Sequence, residues 1–290
     1  MNDLRPLTDY SCAQLQRAVA YGDGLFETMR VSCGRIPWLE HHWQRLAYGL
    51  RQLELDSRRL VAWKQALIDL ARTEQSAVLK LTVFARGGLR GYARPGAQIE
   101  SQIGTQIGAE IGAEVWAGYE WCALPEADPA HGIRVQSCQT PWLTLPKLSG
   151  IKHLNRLPQV LASNEFQRTG AAEGLLYTPE GFVVCATSAN VFAVAADRLR
   201  IPDPKLGGVA GVAQARVVAC AQKLGLEIEL GHWTASTLMD ATELFLSNAI
   251  RGVRPVAQLD QTVYPQRPGG MTEQLRQALW EDFGTDFHGT

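Results

Sequence analysis

The sequence predicts an α+β protein of two domains. Helix-period and strand-period segments mix along the chain without the strict βαβ order of a doubly wound sheet. Residues 124–132, Leu-Pro-Glu-Ala-Asp-Pro-Ala-His-Gly, carry two prolines and little apolar surface, and read as an interdomain linker. A length of 290 residues at 46% hydrophobic content allows one large core or two modest ones. The expected layout is a smaller N-terminal α+β domain over 1–123, the linker over 124–132, and a larger C-terminal α+β domain over 133–290.

In chain order, Tyr21-Gly22-Asp23-Gly24 reads as a turn running into a strand with some alternation, Leu25 to Val31. A helix is expected from Leu39 to Leu55, with Trp43, Leu46, Ala47, Leu50 and Leu53 on its core stripe. Arg45 projects almost opposite that stripe, where spacing alone makes it a solvated arginine. A second amphipathic helix, Ser57 to Thr73, carries Leu60, Trp63, Leu67, Leu70 and Ala71. Ala77 to Phe84 reads as a strand. It leads into the glycine-rich run Arg86-Gly87-Gly88-Leu89-Arg90-Gly91-Tyr92, which lacks the strand–Gly-x-Gly-x-x-Gly–helix context of a nucleotide fold. Within 95–114, isoleucine recurs every fourth residue at 99, 103, 107 and 111. Four such steps are too short for a solenoid, and the interleaved glycines weaken a helix, so this reads as a repeat-expanded, mobile surface insertion.

Val115 to Ala123 resumes as a strand, and Ile133 to Ser137 opens the second half. Leu154, Leu157, Leu161 and Phe166 form the rough apolar stripe of a helix ending at Gly170. Pro158 fits it only in the first turn, where a missing N–H costs nothing. Leu175 to Tyr177, the turn Pro179-Glu180-Gly181 and Phe182 to Val184 carry a hairpin signature. There follow a strand at Ala189 to Ala195, a helix at Gly211 to Leu224 stopped by Gly225, and strands at Leu226 to Leu230 and Glu243 to Ser247. Leu275, Leu279 and Phe283 mark a terminal helix.

Composition narrows the function classes. A net charge of −1 and a pI near 6.6 give no electrostatic reason for a nucleic-acid or anionic-membrane partner. No apolar run reaches bilayer length, and the first residues have no signal-peptide core. The 6 cysteines include no Cys-x-x-Cys, so free thiols in a reducing cytoplasm are expected. His41 and His42 project about 100° apart on a helix and do not suit a shared metal.

Two places can carry chemistry. Lys152, at the junction of an extended run and a helix, is by itself a solvated surface charge; buried, such a lysine can form a Schiff base. Gly208-Val209-Ala210-Gly211-Val212-Ala213 precedes and opens a helix. It is either a plain connection or an anion site built on free N–H groups and the helix dipole.

Gly150-Ile151-Lys152-His153-Leu154-Asn155-Arg156-Leu157 resembles the cofactor-lysine segment of the aminodeoxychorismate lyases. These belong to the fold-type-IV pyridoxal-phosphate enzymes, with the branched-chain and D-amino acid aminotransferases. The segments Gly22-Asp23-Gly24-Leu25-Phe26-Glu27 and His42-Trp43-Gln44-Arg45-Leu46 are similar to that family, as is the Arg-Gly-Tyr loop at 90–92. The resemblance implies a two-domain fold-type-IV architecture and pyridoxal 5'-phosphate bound through Lys152 in the larger domain. It places Arg45 and the amides of Val212 and Ala213 on the phosphate, and Ser247 and Asn248 in a loop beside it. Asn190 and Phe192 match the family's Asn-x-Phe. Arg30, Arg90, Tyr92 and Arg156 become candidates for substrate carboxylates. Cys185 occupies the position of the glutamate that holds a proton on the pyridine nitrogen, and alanine at 213 and 249 removes hydroxyls common in the family. The activity implied is conversion of 4-amino-4-deoxychorismate to 4-aminobenzoate and pyruvate, in folate biosynthesis, by a cytoplasmic homodimer. An aminotransferase of the same fold, or a relative that has lost activity, are the alternatives.

Overall fold

The structure, a computed structural model, describes residues 4–88, 91–94, 112–196 and 198–285. Most of the 95–114 insertion and Arg90 lie outside the described residues. The chain divides into two compact units, Met1–Leu124 with Ile151–Asn155, and Pro125–Gly150 with Arg156–Thr290.

In the first unit the order is β1 (Arg5–Pro6), α1 (Cys12–Tyr21), β2 (Gly24–Ser32), α2 (Leu39–Gln52), α3 (Leu60–Ala71), β3 (Ser76–Ala85) and β4 (Val115–Cys122). The strands form one sheet in the order β1-β4-β3-β2, antiparallel except where β1 joins β4. Helix α1 was not anticipated; it starts on a capping box, with Ser11 and Gln14 bonding reciprocally. It stops at Gly22, whose φ of 59° satisfies a left-handed cap. Gly24 has a different reason to be glycine, since a Cβ there would stand 2.3 Å from the Val83 carbonyl oxygen. The Gly-Asp-Gly segment is thus a helix stop followed by a close strand approach. Between the glycines, Asp23 accepts from Arg17 Nε at 2.9 Å and from Arg94 Nη2 at 2.5 Å. These two arginines hold its carboxyl below the usual range against the opposing effect of burial.

The second unit contains β5 (Ile133–Ser137), α4 (Leu157–Gln167), β6 (Glu173–Tyr177), β7 (Val183–Ala186), β8 (Asn190–Ala195) and β9 (Arg198–Pro202). It continues with α5 (Val212–Lys223), β10 (Glu227–Gly231), α6 (Ala235–Met239), β11 (Glu243–Asn248), β12 (Gly252–Leu259), β13 (Thr262–Val263) and α7 (Met271–Thr285). Its strands join in the order β10-β9-β8-β11-β12-β5-β6-β7, with β13 on β12. One face is filled by aliphatic side chains such as Ile133, Leu175, Val191, Leu244 and Val256. Mixed parallel and antiparallel pairing in both sheets matches the α+β expectation. No helix among the described residues is long and apolar enough to cross a membrane.

Three expectations need correction. Helix α4 begins at Leu157, so Leu154 lies outside it, and Leu157 and Leu161 are 66% and 49% exposed. Its buried side is Gln159, Ala162 and Phe166, so of the expected stripe Phe166 is buried while the leucines are not. Secondly, residues 125–132 belong to the second unit and are fastened to it. Arg254 donates to Asp128 through Nε at 2.8 Å and Nη2 at 3.0 Å, and Arg251 Nη1 donates to the Glu126 carbonyl at 2.5 Å. Thirdly, Lys152 lies with the first unit, not with the C-terminal one. Phe26 N donates to Lys152 O at 2.9 Å and Leu154 N to Gly24 O at 3.0 Å, so Ile151–Asn155 pairs with the free edge of β2.

Candidate active site

Strand β2 organises the first group of residues. Its alternation sends Leu25, Glu27, Met29 and Val31 into the core, and Phe26, Thr28 and Arg30 to the other face. Lys152 Nζ stands 4.2 Å from the centroid of the Phe26 ring. Main-chain bonds on both sides fix the backbone from which it projects. An ammonium over a ring face is attracted by the ring quadrupole. Arg30, partly buried on the same face of β2, has its pKa lowered by desolvation.

Glu27 points the opposite way into the core, where a lone carboxylate would be costly. Two partners on α2 meet it. Arg45 donates through Nε at 2.8 Å and Nη2 at 2.5 Å, a bidentate pair, and His42 Nδ1 lies 2.7 Å from the second carboxylate oxygen. Burial pushes the Glu27 pKa up, but Arg45 and His42 outweigh it and bring it down to about 2. Burial is also the main reason that the His42 pKa falls. Arg45 is therefore not the solvated arginine its spacing suggests: Glu27 orients its guanidinium. Glu27 and His42 were missed as members of the site. Period-2 alternation had put Glu27 among Leu25, Met29 and Val31, and a charge on an apolar strand face demands a partner.

The second group lies at one end of the larger sheet. Asn190 opens β8, donates through Nδ2 to the Val209 carbonyl at 2.9 Å, and has its Oδ1 where a Cβ on Gly211 would fall, 1.9 Å away. Gly211 must be glycine for that contact. Gly150 exchanges bonds with the same loop, N to Gly208 O at 2.9 Å and O from Ala210 N at 3.0 Å. Helix α5 then starts with no side-chain cap, leaving the Val212 and Ala213 N–H groups without intrahelical acceptors. The register of β8 on β11 sets Ser247 opposite Asn190, so their side chains leave the sheet on the same face. Ser247 is 0% exposed and its hydroxyl has no hydrogen-bond partner. A buried hydroxyl without a partner, sharing a sheet face with a loop that ends in free N–H donors, fits a phosphate ester.

The other expected residues fall out differently. Asn248 is engaged locally: its Oδ1 accepts from Ile250 N at 3.0 Å and Arg251 N at 2.8 Å, and its Nδ2 donates to Ser188 O at 3.3 Å. Its side chain shapes the turn out of β11. Tyr92 is 86% exposed and packs against Tyr21 with centroids 5.4 Å apart and ring planes tilted by 59°, on a loop that Arg17 holds through the Tyr92 carbonyl. Arg156 occupies the N-cap position of α4. Cys185 is buried in β7 among Trp142, Phe166, Leu176 and Leu206, and burial pushes its thiol up to about 12.

Residues 24–259 match the pattern of the Amino-transferase class IV family. The chain belongs to that family. Its members are pyridoxal-phosphate enzymes that act on small molecules, and this chain has the fold of such an enzyme. Among solved structures it is similar to 4-amino-4-deoxychorismate lyase from Pseudomonas aeruginosa, at 34% identity and a TM-score of 0.84 over 96% of both chains. Aminodeoxychorismate lyase of Vibrio harveyi is 29% identical over 244 residues, 83% of this chain and 84% of the relative. D-alanine aminotransferase of Bacillus licheniformis is 25% identical over 271 residues, 91% of this chain and 88% of the relative.

Proposed function

We propose that the protein is a pyridoxal-phosphate lyase that converts 4-amino-4-deoxychorismate to 4-aminobenzoate and pyruvate. The observation that carries the reading is Lys152 itself, whose backbone is bonded to the edge of β2 and whose amine stands over the Phe26 ring. Similarity to two lyases over most of the chain supports this branch of the family.

Bound pyridoxal phosphate supplies an electron sink for the pair released when a substrate proton is removed. Lys152 Nζ would hold the cofactor covalently in the resting protein and, once free, would take the proton from the substrate ring carbon beside the amine. In the second unit the N–H groups of Val212 and Ala213 and the hydroxyl of Ser247 would hold the phosphate, and in the first unit Arg45, oriented by Glu27, would offer it a guanidinium. Arg30 binds a substrate carboxylate from the same face of β2 as Phe26. Loss of the enolpyruvyl group then yields an aromatic ring. Folate biosynthesis, a cytoplasmic setting and a homodimeric assembly are part of the same proposal.

The alternative chemistry is tested by challenging the cofactor-loaded protein with D-alanine, L-valine and L-leucine. The spectrum of the bound cofactor is expected to stay unchanged. Its conversion to the pyridoxamine form by any of the three would contradict the lyase reading and favour an aminotransferase.

A further inference from the structure

We infer that Cys185 meets the ring nitrogen of the bound cofactor and leaves it unprotonated near neutral pH, which confines the site to elimination and makes it a poor transaminase. The inference rests on the lyase reading above and adds to it the residue that sets reaction choice.

Three features of the second unit carry it. The first is position. A Cβ on Gly208 would lie 3.4 Å from the Val184 carbonyl oxygen and 3.8 Å from Cys185 Cβ. Strand β7 thus packs directly under the loop whose far end presents the α5 N–H groups, on the sheet face that carries the unpartnered Ser247 hydroxyl. Cys185 thus lies against the loop that would hold the phosphate.

The second is the chemistry of the head group. A pyridinium N–H needs an acceptor, and a nearby carboxylate raises such a cation's pKa by about 1–3 units. A neutral thiol in an apolar surround is a weak partner and offers no charge. Cys185 is neutral here, because burial pushes its thiol up to about 12 against the pull of Arg156.

The third is the charge around it. Two charged groups reach Cys185, Arg156 and Glu173. Arg156 repels a pyridinium. Glu173 is the buried carboxylate that could replace the missing glutamate, but both its oxygens are taken. It accepts from the hydroxyls of Thr187 and Ser188, from Gly174 N at 3.2 Å and from Arg254 Nη1 at 3.4 Å. An unprotonated ring is a weaker electron sink. Transamination needs that sink for two proton shifts, whereas elimination draws part of its driving force from the aromatic product.

The test is the ¹⁵N NMR signal of the protein loaded with pyridoxal phosphate labelled at the ring nitrogen, recorded between pH 7 and 8. The native protein is expected to give the free-pyridine signal, and Cys185→Glu the pyridinium signal far upfield. Should that variant fold poorly, the native signal decides alone. A pyridinium signal in the native protein would overturn the inference while leaving the lyase reading intact. If that signal moved to the free-pyridine position in Glu173→Gln, the ring nitrogen would belong to Glu173 instead. Failure of the protein to take up the labelled cofactor would remove both readings together.

Discussion

Replacing Lys152 with alanine is expected to abolish covalent attachment of the cofactor and to lower pyruvate release by at least about 10³-fold, the scale of losing a positioned general base. The size of the effect follows from its fixed place. Its carbonyl accepts from Phe26 N and its neighbour Leu154 donates to Gly24 O, so the side chain projects from a backbone held on a strand edge. Borohydride reduction followed by mass spectrometry measures attachment, and a lactate-dehydrogenase-coupled assay measures pyruvate. Because those main-chain bonds do not use the side chain, Lys152→Ala should fold and melt much as the native protein does. A variant that keeps covalent attachment would show that another lysine carries the cofactor.

The second large effect is on stability. Glu27→Ala leaves the Arg45 guanidinium, 10% exposed, without its counter-charge, and removes the partner of buried His42. Breaking a buried ion pair from one side costs about 3–5 kcal/mol. Urea unfolding should report a loss on that scale, against little change for a surface pair such as Arg72–Asp69. The pH dependence has a definite sign. Both Glu27 and His42 have folded pKa values below their unfolded ones, so each contributes stability at high pH that is lost as pH falls. His42 acts first, as pH drops below the ordinary histidine value of 6.5. Glu27 follows between 4.5 and about 2. Acid unfolding of Glu27→Gln should lack the second stage. If its acid limb overlays that of the native protein, the Glu27–Arg45–His42 arrangement is not the source of acid sensitivity.

Most elements were legible because their burial obeys the local period. Trp63 and Leu67 are buried on α3, Leu275, Leu279 and Phe283 are buried on α7, and the β6–β7 hairpin lies across the Pro179-Glu180-Gly181 turn. The stripe on α4 misled for a physical reason. Leu154 keeps helical spacing with Leu157 and Leu161, but main-chain bonding to β2 claims it, and spacing cannot report where a hydrogen-bond ladder takes over. Long-range pairing is also what hid the grouping of Lys152 with the first unit and the fastening of Asp128 by Arg254. At the candidate site the motif residues were visible, but their supports were not. Glu27 beneath Arg45, and the Asn190–Gly211 contact that shapes the start of α5, join positions 18 and 21 residues apart or on separate elements, where only the folded chain brings them together. Asn248 shows the converse. The resemblance places it in a loop beside the phosphate, and in the structure its side chain closes its own turn through Ile250 N and Arg251 N, a local role that a single asparagine in sequence does not reveal.

The most direct measurement is the product balance with 4-amino-4-deoxychorismate as substrate, following 4-aminobenzoate by fluorescence and pyruvate by coupled oxidation of NADH. Equal amounts of the two products are expected, at a rate that rises when pyridoxal phosphate is added to cofactor-depleted protein and vanishes in Lys152→Ala. Absence of both products from the cofactor-loaded native protein would contradict the lyase assignment.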